Sequence, residues 1–491
     1  MKTKLLFFVL TVAGFAFASC SMNDYYDGFS GYPEYSYDEQ TSPESGDNFD
    51  VIKENPFVST SEQPVSTFSV DADGAAYAYM RRCINSGFLP DANSVRIEEF
   101  LNYFTFNYAD PEGNETLAIN AEVGGCPWAE KHKLIRLGLK GKTLKNEEIP
   151  DANYILLIDT SGSMSGDDRI NLLKSGLIAM IDYMKPSDRI AIITYSGSVK
   201  KVLESTLVKD AQTIKNAIRG LSASGATAGG AAMKMAYEEA TAHYITGGNN
   251  RIIMCTDGDF NVGVSSTEAL VEMVESYLDK GIYLSIMGFG TGNFQDARME
   301  NLSNHGNGTY TYIDSEEEMM KVFVNERSHF YAVANDTKCQ ITFNPQYVDS
   351  YRLIGYENRV MNNEDFEDDK KDAGEIGAGQ TVTALYEIVP TEDFATDAIL
   401  ADFDVRYKKA LGEESRGLSL KIKSSSARPS DEFDFAAGIA AYGLWLRNSE
   451  YKGTASASLA EELVGPSLDY DHLGLRAQLA ELIHKAASLK K

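Results

Sequence analysis

The sequence predicts an α/β fold: a doubly wound, mostly parallel sheet inserted beside a β-sandwich-like unit, with a helical C-terminal tail. Three observations predict it. Short, almost wholly apolar runs, Tyr154 to Ile158 and Ile252 to Cys255, stop at polar loops, as strands covered on both faces do. Strand and helix signals then alternate from about Ala152 to about His329, which is the doubly wound pattern. Beyond His329 the apolar period shortens to two, the signature of antiparallel strands with one wet face.

The first element is not part of a fold. Lys2 and Lys4 precede an apolar run from Leu5 to Phe17, too short for a comfortable membrane span and followed by Ala18-Ser19-Cys20. Residues 1–20 read as a secretory signal whose end looks like a lipoprotein processing site, although Phe17 stands where Leu is usual. Cleavage there would leave Cys20 as the acylated first residue. No basic residue occurs between Leu5 and Ile52, and Ser21 to Asp50 is crowded with Asp, Glu, Tyr, Ser, Gly and Pro. Such a stretch cannot bury a core, so residues 21–54 are expected to be an acidic tether. Ser21 directly after Cys20, in place of Asp, favours an outer-membrane anchor on the periplasmic or cell-surface face.

Residues 55–148 carry a strand signal at Ser66 to Val70 and helix signals at Tyr77 to Ser86 and Arg96 to Phe104. This segment is expected to stand apart from the α/β core. Glu115 to Ala121 and Leu134 to Leu139 alternate like the strands beyond His329 and are assigned to the same sandwich. That assignment makes the α/β segment, residues 149–330, an insertion between its strands.

Within the insertion, Ile170, Leu173, Leu177, Ile181 and Met184 form one apolar stripe that opens after Asp167 and Asp168 and closes before Pro186. A strand follows from Arg189 to Tyr195. Ser265 and Glu268 pair as a capping box, Gly281 supplies a helix stop, and a strand runs from Ile282 to Phe289. Asp314 with Glu317 repeats the start signal for a helix towards His329.

In residues 331–491 the antiparallel candidates are Thr337 to Phe343, Ser350 to Tyr356, Gln380 to Val389, Ile399 to Tyr407 and Ser415 to Ile422. The tail then turns helical. Ala436, Ala437, Gly438, Ala440, Ala441 and Gly443 permit close helix packing, and Leu475 to Leu489 forms a final amphipathic helix.

The candidate site lies where the first buried strand ends. Asp159, Ser161 and Ser163 are spaced two apart, so their oxygens fall on one side of an extended or gently looping backbone. One carboxylate and two hydroxyls are hard donors suited to Mg²⁺, and the carboxyl ends of strands are where open α/β sheets gather ligands. Few charges on such an ion leave it open to a further carboxylate from a partner.

Asp159-x-Ser161-x-Ser163 resembles the metal-ion-dependent adhesion site of von Willebrand factor type A (VWA) domains, which share a Rossmann-like sheet. The resemblance implies a Thr from a second loop and an Asp from a third. The matching positions are Thr227, in the Gly-rich run Ser224 to Gly230, and Asp257, in Cys255-Thr256-Asp257-Gly258 after the apolar run Ile252 to Cys255. It further implies a bound Mg²⁺, or Ca²⁺ or Mn²⁺, and a protein ligand that supplies a carboxylate. Asn55 to Thr60 and Cys126-Pro127-Trp128, with the phrases between them, resemble the N-terminal region of a bacterial VWA lipoprotein family of three parts.

Other chemistries fit less well. Asp71-Ala72-Asp73-Gly74 has the outline of a phosphatase nucleophile loop, but Ala75 replaces the expected Thr, and a turn after a strand explains the run. Asp257, Asp259, Asn261 and Glu268 match four positions of a Ca²⁺ loop, with Val262 where its Gly should be. The six histidines show no ligand spacing. Cys255 sits in a buried strand, and pairing among Cys83, Cys126 and Cys339 does not follow from the sequence. A net charge of −27 opposes nucleic acid binding. The expected function is metal-dependent capture of a protein partner by a lipid-anchored, non-enzymatic protein; the alternative is an envelope assembly factor whose metal only stabilises the fold.

Overall fold

A computed structural model describes residues 49–225, 230–258, 267–277, 280–290 and 296–490. The buried apolar runs line up as one six-stranded sheet in the order Tyr310–Ile313, Tyr283–Phe289, Asn249–Thr256, Ala152–Asp159, Arg189–Tyr195, Val199–Leu207. The first five are parallel and the last is an antiparallel edge. Alternate residues of the central strand are buried on opposite faces. Ile155 and Leu157 pack with Met233, Ala236 and Leu270, from helices on one side, whereas Leu156 and Ile158 pack with Leu173, Leu177 and Ile214 on the other. Every residue of Ala152–Asp159 is therefore buried, which is why Tyr154 to Ile158 is a continuous apolar run that ends at Asp159.

The stripe read from Ile170 to Met184 is buried at all five positions, over a helical turn at Asp167–Asn171 and the helix Leu172–Tyr183. The last helix begins one residue later than its sequence signal. Ser315, not Asp314, caps Glu316–Met320 by accepting from the Glu318 amide, because the Asp314 carboxylate is taken by Arg81. Of the capping-box pair, Ser265 lies outside the described residues. The helix that follows spans Thr267–Glu275.

Two antiparallel sheets face each other beside this unit. One runs Val58–Ser59, Val348–Ile354, Thr381–Pro390, Lys133–Gly141, Leu117–Gly125; the other runs Val360–Met361, Val65–Ser69, Ala332–Phe343, Ile399–Lys408, Arg416–Lys423. Leu137, Leu139, Tyr386, Ile341, Phe343, Phe403 and Val405 fill the space between them. Lys133–Gly141 pairs directly with Thr381–Pro390, Lys140 opposite Thr381. The chain thus leaves one sheet of the sandwich after Lys133–Gly141, builds the whole α/β sheet, and re-enters the sandwich in the other sheet at Ala332–Phe343.

The tail forms Asp431–Arg447, Ala457–Val464 and Leu475–Leu489, which bury a common core with Ile97, Phe100 and Phe104 of the N-terminal segment. A Cβ at Gly443 would stand 2.7 Å from Ile97 Cγ1, and one at Gly438 3.0 Å from Val464, so the small residues set these helix separations. The helix Ala75–Asn85 departs from expectation. Its Ala75, Ala78, Tyr79 and Cys83 join Leu284, Tyr310 and Tyr312 in the α/β core, while Tyr77 and Met80 face the helical tail. The N-terminal segment is a wedge shared by two cores. Cys126, Cys255 and Cys339 are buried free thiols, and Cys83 is buried in the α/β core. Among the described residues, no helix is long and apolar enough to cross a membrane.

Candidate metal centre

Strand order decides where a ligand can sit. From Ala152–Asp159 the chain moves outward on one side to Arg189–Tyr195 and Val199–Leu207, then continues on the other side with Asn249–Thr256. The order reverses between Ala152–Asp159 and Asn249–Thr256, and a crevice opens beyond their carboxyl ends. Asp159 ends the first strand and Asp257 follows the second, so two acidic residues stand side by side at the switch point. Both are buried, Asp159 fully and Asp257 to 6% exposure.

Local hydrogen bonds aim these groups. Asp159 Oδ1 accepts from the Ser161 amide at 2.7 Å, which turns the loop back over the carboxylate. Thr256 Oγ1 donates to Asp159 Oδ2 at 3.3 Å from the neighbouring strand and accepts from the Gly258 amide at 3.2 Å. The Ser161 and Ser163 hydroxyls lie 2.8 Å apart, Ser161 buried and Ser163 exposed, so the pair runs from the crevice to its mouth. Arg169 holds the outer part of the loop by donating to Ser163 O at 2.8 Å.

The second loop is pinned against the first. Ser224 N donates to Thr160 O at 2.7 Å and Gly162 N to Gly225 O at 2.9 Å, with Gly225 at φ +94°. Thr227, two residues further, lies outside the described residues, as does Cys20. The structure brings Asp159, Ser161, Ser163 and Asp257 to one crevice. Thr256, which the sequence does not single out, is the cross-strand donor to Asp159.

Burial, with the neighbouring Asp257 charge adding to it, pushes the Asp159 carboxyl up to about 6 despite hydrogen bonds from Ser161 and Thr256 that pull it down. The same burial, and the Asp159 charge, raise the Tyr195 phenol behind it. Two buried acids side by side, flanked by two hydroxyls, are a donor set suited to a hard divalent cation. Asp159, Ser161, Ser163 and Asp257 fit such an ion.

Comparison with known proteins follows the same division of the chain. Residues 154–259 match the model of the von Willebrand factor type A domain, residues 43–136 a von Willebrand factor model, and residues 328–489 the model "Uncharacterized protein YfbK, C-terminal". The uncharacterized protein YfbK of Escherichia coli (strain K12) is 37% identical over 464 residues, covering 89% of this chain and 80% of that one. The chain belongs to the YfbK family of bacterial VWA proteins. Outside the YfbK family, human inter-alpha-trypsin inhibitor heavy chain H3 is 30% identical over 179 residues, 34% of this chain and 20% of that relative. A solved von Willebrand factor type A protein from Catenulispora acidiphila covers 74% of this chain and 90% of its own, at 15% identity and a TM-score of 0.44. A VWA domain supports a protein-interaction or adhesion role for this YfbK-family chain.

Proposed function

We propose that this chain captures a protein partner through a divalent cation, Mg²⁺ by preference, held by Asp159, Ser161, Ser163, Thr227 and Asp257. The single observation that carries the reading is the pair Asp159 and Asp257 at the switch point, with the Ser161 and Ser163 hydroxyls leading out to solvent. When bound, the ion supplies a Lewis-acidic position that an acidic side chain of the partner completes. The protein's own groups set its orientation: the Ser161 amide and Thr256 hydroxyl fix the Asp159 carboxylate, and the bonds between the first two loops hold Ser161 and Ser163 at the mouth.

The reading is of binding: among the described residues, the crevice gathers Asp159, Ser161, Ser163 and Asp257, hard oxygen donors suited to an ion whose shell a partner's carboxylate completes. The leader and acidic tether support a lipid anchor at Cys20 and an extracytoplasmic, outer-membrane location. Affinity capture from the native envelope tests the proposal: partner recovery in Mg²⁺ should be lost with chelator and with Asp159→Ala. Recovery unchanged by both would sink it and favour a metal that serves only the fold.

A further inference from the structure

The N-terminal wedge reaches the metal centre as well as the two cores. Arg82, in the helix Ala75–Asn85, spreads its guanidinium over two elements of the α/β unit. Its Nη1 donates to the Tyr312 hydroxyl at 2.5 Å, and its Nη2 pairs with Asp168 Oδ2 at 3.2 Å. Tyr312 is fully buried, and its hydroxyl passes the contact on by donating to Gly290 O at 2.6 Å. Gly290 follows the strand Tyr283–Phe289 at φ +75° and lies against the Arg169 side chain: a Cβ there would stand 2.0 Å from Arg169 Nε. Arg169 in turn donates from Nη1 to Ser163 O at 2.8 Å. The line from Arg82 through Tyr312, Gly290 and Arg169 therefore ends on the backbone of a proposed metal ligand.

The backbone of this loop does not fix itself. Ser163 lies in the short turn Gly162–Met164 and is exposed. Gly166 stands at φ +149° and ψ 168°, a conformation essentially closed to other residues. Asp167–Asn171 is then a π-helical turn, wider than the α-helix Leu172–Tyr183 that it opens. A glycine joint and a wide turn thus separate the ligand-bearing residues from the regular helix. Within the wide turn, Asp168 and Arg169 are the two residues tied to the wedge, Asp168 directly and Arg169 through Gly290 and Tyr312.

We infer that Arg82 is a positioning residue for the metal centre, fixing the Ser163 end of the donor set from a part of the chain outside the α/β segment. The inference rests on the metal reading of Asp159, Ser161, Ser163 and Asp257 and concerns how tightly that set holds its ion. The Arg82 and Asp168 side chains are 21% and 47% exposed, so their ion pair alone constrains little. The buried arm through Tyr312 carries the constraint. Ser161 is held separately, by its amide on Asp159. Removing Arg82 therefore frees Ser163 while Asp159, Ser161 and Asp257 keep their places, and the ion is weakened rather than lost. Groups that orient a metal ligand directly are worth about tenfold or more in affinity; Arg82 acts further out, and a loss of about three- to tenfold is expected.

Calorimetric titration of MgCl₂ into the full chain tests this, with urea unfolding of each variant alongside. Arg82→Ala should weaken Mg²⁺ about three- to tenfold. Tyr312→Phe keeps the buried ring and removes only the hydroxyl; it should weaken Mg²⁺ by a similar factor, and the double variant by little more than either alone. Arg81→Ala is the control, because Arg81 binds Asp314, Glu318, Tyr103 and Gln478, none of them in the metal loop. It should lose more stability than Arg82→Ala yet hold Mg²⁺ within about twofold of wild type. Should Arg81→Ala not fold, Arg81→Lys takes its place. Unchanged affinity in Arg82→Ala or in Tyr312→Phe, with Asp159→Ala abolishing binding, would overturn the inference and leave the metal reading intact. Losses that multiply in the double variant, or an equal loss in the Arg81 variant, would also overturn it, by reducing Arg82 to a general support of the fold. Failure of the wild type to bind Mg²⁺ would defeat both readings.

Discussion

Arg81 grips Asp314 with two parallel hydrogen bonds, Nε to Oδ2 at 2.8 Å and Nη2 to Oδ1 at 2.5 Å, and its Nη2 also reaches Glu318 at 2.7 Å. The arginine comes from the N-terminal helix and the acids from the end of the α/β segment, so the contact fastens two parts of the chain more than 230 residues apart. All three side chains are at most 5% exposed. Removing one partner of such a pair strands buried charge. Arg81→Ala is expected to cost about 3–5 kcal/mol in urea unfolding. Arg82, one residue on and more exposed, donates to the Tyr312 hydroxyl at 2.5 Å and pairs with a half-exposed Asp168 at 3.2 Å, and Arg82→Ala should cost less than Arg81→Ala. Equal losses would contradict the assignment of the seam to Arg81.

Thr256 touches the metal centre without being one of its proposed ligands. Thr256→Val keeps the shape of the side chain while removing its donor to Asp159 and its acceptor for the Gly258 amide. Magnesium affinity by calorimetry is expected to fall about tenfold, with stability lower by about 1 kcal/mol. An unaltered affinity would show that Asp159 needs no such support.

Glu98 gives the protein an alkaline limb. It is 1% exposed, its Oε2 accepts no hydrogen bond, and burial with the charges of Glu357 and Asp71 pushes its carboxyl up to about 8. Below the unfolded-state value both states hold the proton and nothing is lost. Between that value and about 8 the unfolded chain ionises first, so stability declines as pH rises and the full cost is present above about 8. Glu98→Gln should therefore stabilise at pH 9 by on the order of 2 kcal/mol and leave stability at pH 4 unchanged. Urea midpoints at the two pH values decide it.

Two glycines separate hard from soft constraint. A Cβ at Gly308 would lie 1.8 Å from Leu284 O and 2.4 Å from its carbonyl carbon, within a sheet that cannot step aside. At Gly176 the nearest atom, at 1.9 Å, is the terminal methyl of Met319, which can rotate away. Gly176→Ala should cost about 1–3 kcal/mol and Gly308→Ala more than about 3 kcal/mol. A reversed order in thermal melts would show that Met319 is the more rigid neighbour.

What could be read from the sequence was whatever local spacing encodes. The Asp159 to Ser163 loop was legible because two-residue spacing and an apolar run before it specify both position and donor chemistry. The sandwich strands Leu117–Gly125 and Lys133–Gly141 were legible because their alternation matches strands 250 residues later. Asp314 was misread as a helix cap because nothing near it in sequence reveals that Arg81 claims its carboxylate. Thr256, inside an apolar strand, carries no spacing signal for its bond to Asp159. The double duty of Ala75–Asn85 escaped notice for a related reason: a helix buried on nearly every side has no single apolar face to mark one partner.

The return of the chain to the sandwich also sets an order of assembly. Gln340 meets Thr67, 273 residues away, so Val65–Ser69 must wait for that much chain before its main partner exists. At 5–20 residues per second, the wait during synthesis is roughly 14–55 seconds. The inserted α/β sheet has all its own strands by residue 313 and closes through nearer neighbours. It can therefore stand complete while Val65–Ser69 is still a single, unpaired strand, the state in which a β protein most readily pairs with the wrong chain.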